Sequence, residues 1–247
     1  LFPILPVTVR NYRVSKELVP ISAQGGMSLL IANNPRSDGT NHFLPGYGRL
    51  GSPFDYPAAV REIAAGQGRE AGELSYARAS RRFALQALNY ILTNPVRFLE
   101  LTGRRFLLFW GAAEVTNNRE IASVRAHSRV LSAIPLDFSL VFALFLTGTV
   151  MFLYSRLRSS GAGILSDRSP TSGSASLLVL IFIGVYFLSV LPFVAAARYR
   201  VPVIVGLLLF SARALHAFAH LAARRRFRSL AVWLAAALGI FFLVRLN

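Results

Sequence analysis

Arg198-Tyr199-Arg200-Val201-Pro202 is the stretch whose residue types most directly suggest chemistry. Two guanidinium groups stand two residues apart, just ahead of a proline that suits the first turn of a helix. The unpaired N–H groups and positive dipole end of that helix would face the same spot. With two arginine forks they make an anion site suited to phosphate, with Tyr199 between them. A second reading stands beside it, in which the pair are interfacial anchors touching lipid headgroups. Arg10-Asn11-Tyr12-Arg13 offers a further phosphate contact in Arg10 and sugar or acceptor contacts in Asn11 and Tyr12. The plainer reading of that set is a positively charged helix exit, and it is preferred. Asn33 and Asn34 add two amides able to touch a sugar or acceptor, although Asn-Asn-Pro more commonly marks a turn. His216 and His220 have the i, i+4 spacing of a metal pair, but no carboxylate or third histidine lies near them in sequence. Glu114, close to Asn117-Asn118-Arg119, reads as a group orienting a nearby helix or, more simply, as part of a solvated loop.

Other chemistries lack their residues. Cysteine is absent, which removes disulfides, thiol catalysis and Cys-based metal sites. No phosphate-cradling glycine loop of the Walker or dinucleotide type occurs, and no Ser/His/Asp arrangement suggests itself. The formal charge is +16, and Lys16 is the only lysine, an arginine bias that points to a GC-rich bacterial genome. Before residue 134 the 16 basic residues are interleaved with 9 acids, which argues against nucleic acid as a partner. After it there are 11 basic and 2 acidic residues, and no acid follows Asp167.

The elements that must position these groups are mainly helices in a membrane. Of 247 residues 54% are apolar and 15% charged, too few charges for an ordinary soluble domain. Four apolar runs read as transmembrane helices: 138–155, 175–197, 201–222 and 230–244. The third contains Arg213, which would cost about 2.5–3.5 kcal/mol at a helix centre and is expected to snorkel toward the headgroups. No acid lies inside a span, which argues against a proton-coupled transporter. The fold class is therefore mainly α, a polytopic membrane protein with about four transmembrane helices after a region of turns and amphipathic helices.

Arginine placement sets an orientation. The loops 156–174 and 223–229 are arginine-rich and should be cytoplasmic, which leaves 198–200, residues 10–133 and Asn247 outside. Ser159–Ser176 looks like a flexible linker. Residues 1–9 read as the end of a transmembrane helix that begins upstream. Within 10–133, turn signals at Gly25-Gly26, Pro45-Gly46 and Gly51-Ser52-Pro53 separate short apolar runs. Met27–Ala32 is long enough for one strand or helical turn, so this region should bury little core. Tyr76–Leu92 has helical spacing, with Phe83, Ala87, Tyr90 and Ile91 on one face. Phe98–Trp110 carries three charges and reads as an amphipathic helix lying on the membrane surface, because a span there would turn both arginine-rich loops outward.

The order of these pieces resembles one family. Pro6-Val7-Thr8-Val9-Arg10-Asn11-Tyr12, Val19-Pro20-Ile21-Ser22, Gly25-Gly26, Asn33-Asn34-Pro35 and Asp38-Gly39 come first. Tyr90-Ile91, Asn94-Pro95, Phe98-Leu99, Phe109-Trp110, Glu114, Asn117-Asn118-Arg119 and Ala197-Arg198-Tyr199-Arg200-Val201-Pro202 follow. Together they are similar to the later part of bacterial dolichyl-phosphate-mannose–protein mannosyltransferase-like proteins, membrane glycosyltransferases of the GT-C class. The resemblance covers nearly the whole chain. It implies transfer of a sugar from a polyprenyl-phosphate carrier to an extracytoplasmic acceptor at the bacterial inner membrane. Arg198, Tyr199, Arg200 and Arg10 would contact the carrier phosphate, and Asn11, Tyr12, Asn33 and Asn34 the sugar or acceptor. The partners implied are the polyprenyl-phosphate-linked sugar and membrane lipids. In that family the catalytic carboxylate lies in the first extracytoplasmic loop, which this chain does not contain. The expectation is thus a C-terminal part, inactive alone, without a catalytic residue or cofactor of its own, although the full-length enzyme could use a divalent metal. The alternative is a non-catalytic membrane scaffold or lipid-headgroup-binding protein using the same arginines.

Overall fold

A computed structural model describes residues 4–19, 21–40, 43–44, 48–49, 57, 60–61, 75–113, 115, 127, 137–158 and 170–246. Glu114, Asn117-Asn118-Arg119, Pro45-Gly46 and Gly51-Ser52-Pro53 lie outside the described residues, as does 159–169 of the expected linker. The described part is mainly helical: α1 (Leu5–Ser15), α2 (Gly25–Ala32), α3 (Tyr76–Thr93), α4 (Pro95–Trp110), α5 (Phe138–Arg158), α6 (Pro170–Val190), α7 (Val201–Ala223) and α8 (Phe227–Arg245). A 3₁₀ turn, Ala197–Arg200, precedes α7. One antiparallel pair, β1 (Phe43–Leu44) with β2 (Gly48–Arg49), sets Phe43 opposite Arg49. The chain forms two compact units, Leu1–Arg105 with Leu191–Val194, and Phe106–Val190 with Ala195–Asn247.

In the first unit α1 runs on past Val9, with proline in its first turn, and stops at Lys16 in the left-handed conformation. Arg10 to Arg13 therefore lie in the C-terminal half of the helix, with Arg13 in its last turn. The run Met27–Ala32, expected to make no more than one strand or helical turn, belongs to a two-turn helix that organises a small core. Met27, Leu30, Ile31 and Ala32 pack with Val60, Ala79, Phe83, Ala87 and Val194. Gly26 makes this possible. A Cβ there would fall 1.7 Å from the Ser80 carbonyl oxygen, so only glycine lets α2 meet the α3 backbone so closely. The Gly26 N–H also donates to Ser80 Oγ at 3.0 Å. Asn94 interrupts the helical run between α3 and α4, and Pro95 opens α4 where its missing N–H costs nothing.

The second unit contains four helices long and apolar enough to cross a membrane, spanning 138–157, 173–190, 197–223 and 227–245. The protein is membrane-embedded on this evidence, as the composition leads one to expect. Two boundaries differ from the sequence reading. The second span ends at Val190 and not near Ala197, because Pro192 lacks an N–H and disfavours helix at the residue before it. Its helix also begins at Pro170, so 170–176 is helical and not linker; Arg156 Nη1 donates to the Gly173 carbonyl at 2.9 Å. α5 and α7 pack tightly. A Cβ on Gly148 would come within 2.0 Å of the Phe210 carbonyl oxygen, and Ser211 Oγ donates to the Val141 carbonyl at 3.0 Å. Small residues at such crossings let backbones approach inside a bilayer. Aromatic rings continue the contact, Trp110 stacking on Phe142 at 4.7 Å and Phe210 meeting Phe145 and Phe152 edge-on. Arg213 stacks over the Phe152 ring at 4.9 Å, so an aromatic face shelters the charge expected to snorkel. An apolar groove of about 670 Å³ lies among α4, α5, α6 and α8, lined by Trp110, Phe142, Leu180, Gly184, Gly239 and Leu243.

Candidate functional site

Helix ends gather the Arg-Tyr-Arg segment in the second unit. The turn Ala197–Arg200 is anchored by an N–H bond from Ala197 to the Val115 carbonyl at 2.9 Å. Pro202 lies in the first turn of α7, as expected from sequence. The two arginines take opposite courses. Arg198 is exposed, with its guanidinium 5.3 Å from the half-buried Tyr199 ring. Arg200 is 5% exposed and turned inward. Its Nη2 donates to the carbonyls of Leu108 at 2.6 Å, Gly111 at 3.1 Å and Ala113 at 2.8 Å. Its guanidinium also lies 4.1 Å above the Phe138 ring. The expectation of two outward forks is thus corrected. The end of α4 leaves carbonyls without helical partners, and a cation is the natural group to satisfy them.

The same end of this unit is tied by Arg245 Nη2 to Asp137 Oδ2 at 2.8 Å, and by the Ala112 N–H to the Val244 carbonyl at 3.4 Å. The start of α5, the start of α7 and the end of α8 are therefore neighbours, with Arg156 and Gly173 at the other ends of α5 and α6. This is the alternation that the four-span reading requires.

In the first unit, Arg10 and Asn11 line a cleft of about 490 Å³ that also takes in Ser15, Glu17, Gln24 and Tyr76. Arg10 is exposed, and Tyr12 is exposed beside it on α1. Asn11 has a structural task, since its Nδ2 donates to the carbonyls of Val19 at 3.0 Å and Ile21 at 3.1 Å, folding the following loop back on the helix. Sequence reasoning missed Glu17. Its Oε2 accepts from Ser75 Oγ at 2.6 Å and its Oε1 pairs with Arg78 Nε at 3.0 Å. Ser75 is the N-cap of α3, accepting from the Arg78 N–H at 3.2 Å, so the carboxylate also faces a helix N-terminus. The Ser75 hydrogen bond foremost, with Arg78, holds the Glu17 pKa below the usual carboxylate value against a smaller opposing effect of burial. No local pattern announces this contact, because its partners are 58 and 61 residues away.

Asn33 and Asn34 are fully buried, which corrects their reading as sugar contacts in favour of the turn. Asn33 Nδ2 donates to the carbonyls of Leu29 and Pro192, each at 2.9 Å, and Asn34 Nδ2 to those of Leu30 and Ile31. Around them wraps a second unforeseen group, Arg105, which is 1% exposed. Its Nη1 donates to Asn33 Oδ1 at 3.2 Å and the Pro192 carbonyl at 3.3 Å, and its Nη2 to the Ala32 carbonyl. Burial pushes its pKa down to about 10, so it stays charged at neutral pH. A signal for it existed: Leu101, Arg105 and Phe109 recur every four residues on the buried face of α4.

On α7, His216 is exposed and His220 half-buried, and no third ligand-type side chain joins them among the described residues. The chain's arrangement can therefore offer an exposed guanidinium on a pinned turn in one unit, and a cleft with a cation and a carboxylate in the other. No protein-family model, curated protein or solved structure matches the chain.

Proposed function

We propose that this chain is the C-terminal part of a GT-C-class membrane glycosyltransferase that moves a sugar from a polyprenyl-phosphate carrier to an extracytoplasmic acceptor. Its contribution is to hold the carrier phosphate. The observation that carries this reading is the exposed Arg198, set on a 3₁₀ turn directly before the N-terminus of α7. A guanidinium and a helix N-terminus in succession favour an anionic phosphate, and they steady it as negative charge gathers on the departing carrier. Arg200 takes a positioning role, fastening the turn from inside. Arg10 and the cleft beside it, with Asn11, support a separate polar contact for sugar or acceptor, whereas Tyr12, exposed on α1, does not line that cleft. The proton-accepting carboxylate is expected upstream of Leu1, and the orientation follows the arginine-rich loops, with 198–200 facing outside a bacterial inner membrane.

One observation favours a second reading. With Arg200 turned inward, a single exposed arginine remains on the turn, which suits a non-catalytic scaffold whose Arg198 touches ordinary lipid headgroups. A binding measurement separates the two. The purified chain in phosphatidylcholine nanodiscs is titrated with a polyprenyl phosphate and with the polyprenol of the same length. The transferase reading expects the phosphate to bind better, and Arg198→Ala to weaken it about tenfold, the equivalent of one charge-assisted hydrogen bond. Equal binding of alcohol and phosphate, or full competition by phosphatidylglycerol, supports the scaffold instead. Sugar transfer by residues 1–247 alone would overturn the placing of the base upstream.

A further inference from the structure

In the first unit, α3 and the part of α4 up to Arg105 are apolar on two sides. At 3.6 residues per turn, Ala79, Phe83 and Ala87 share the buried side of α3. Leu85, Leu88 and Leu92 recur at the same kind of spacing on the opposite side. Val96 and Leu99 continue the three-and-four spacing across Asn94 into α4, where Leu101 and Arg105 hold the buried side. These five outward residues are 47% to 79% exposed. A surface helix of a soluble domain carries polar residues there.

We propose that this second stripe, Leu85, Leu88, Leu92, Val96 and Leu99, docks on the surface of an anionic lipid bilayer. Three observations choose the bilayer as occupant. The chain is itself membrane-embedded through four other helices, so lipid is the apolar phase at hand. α3 has the length of a span, yet it carries Arg78, Arg81 and Arg82 and is not among those four, which leaves lying flat as its way of meeting lipid. Charge then decides the lipid. α3 contains no acid, and Arg81 continues the stripe one turn before Leu85, with Arg82 beside it. Both are exposed, and neither forms an ion pair among the described residues, whereas Arg78 is held by Glu17. Guanidinium groups at the end of an apolar stripe match phosphate-bearing headgroups. The helices would sit with the leucines at the headgroup–acyl boundary, about 5–10 Å deep.

The chain has no cysteine, so single cysteines can be introduced without background. Leu88→Cys, Leu92→Cys and Leu99→Cys, with Gln86→Cys as an exposed control off the stripe, are spin-labelled in the full chain and reconstituted in vesicles containing phosphatidylglycerol. Collision with oxygen should exceed collision with a water-soluble nickel chelate several-fold at the three stripe positions and not at residue 86. In phosphatidylcholine alone, or with Arg81→Gln and Arg82→Gln combined, the ratio should fall. Stripe labels as open to nickel as residue 86 would overturn the proposal. So would labels frozen and shielded from both agents, which would mean that protein covers the stripe. A ratio indifferent to lipid charge and to both arginines would overturn its anionic part.

Discussion

Replacing Arg200 with alanine separates a ligand-binding arginine from one that holds the fold. One nitrogen, Nη2, faces the carbonyls of Leu108, Gly111 and Ala113, and its two N–H groups can serve about two of them well at once. Hydrogen bonds involving a charged group contribute about 1.5–3 kcal/mol each, and the contact with the Phe138 ring adds up to ~2 kcal/mol when desolvated. Arg200→Ala should therefore cost about 3–5 kcal/mol, near the loss seen when one partner of a buried charged pair is removed. For a unit of this size that corresponds to a fall in Tm of ~6–20 °C. The change can be followed by tryptophan fluorescence in detergent micelles, because Trp110 stacks on Phe142 in the same unit. Arg200→Lys should recover part of the loss, since an ammonium keeps the charge without the planar fork. Arg198→Ala, at an exposed position, should stay within ~0.5 kcal/mol of the unaltered chain. An Arg200→Ala protein that melts with the unaltered chain would refute the structural role assigned to this residue.

Gly148→Ala should destabilise the second unit by about 1–3 kcal/mol in the same melting assay, because the Phe210 backbone cannot yield as a side chain would. Arg105→Ala should cost about 2–4 kcal/mol, because Asn33 Oδ1 loses its donor while the Pro192 and Ala32 carbonyls lose a charged donor but keep Asn33 Nδ2 and Ser37 Oγ; Arg104→Ala, exposed next door, should be nearly neutral. Glu17 has a depressed folded-state pKa, so its contribution is present above the unfolded value of about 4.3 and is lost as pH falls through the lower folded value. Ser75→Ala should move its titration, read by carboxyl NMR, back toward that ordinary value.

How much of this was legible from residues alone depends on how local each cause is. Long apolar runs impose their own length and phase, so four membrane-crossing helices and the proline opening α7 could be read directly. The stop at Val190 was equally local, written in Pro192, but the apolar residues beyond it masked the break. Met27–Ala32 was underrated because its partner, the Ser80 backbone, lies 54 residues away and only Gly26 hints at the approach. The inward course of Arg200 was not legible at all. It depends on where the carbonyls of Leu108 to Ala113 come to rest, roughly ninety positions earlier, and no spacing rule carries that information. Asn33 and Asn34 fell between, since Asn-Asn-Pro marks a turn but says nothing of the arginine folded beneath it.

The triple grip of Arg200 bears on its neighbour two residues away. Since the 3₁₀ turn is bolted to fixed carbonyls and an aromatic ring, the backbone beneath Arg198 has little freedom to lose when an anion arrives. If Arg198 holds the carrier phosphate as proposed, only its side chain would have to become ordered, because the turn beneath it is already a fixed platform. Loosening the platform by altering Arg200 should therefore weaken anion capture at a residue left chemically untouched, chiefly through faster release.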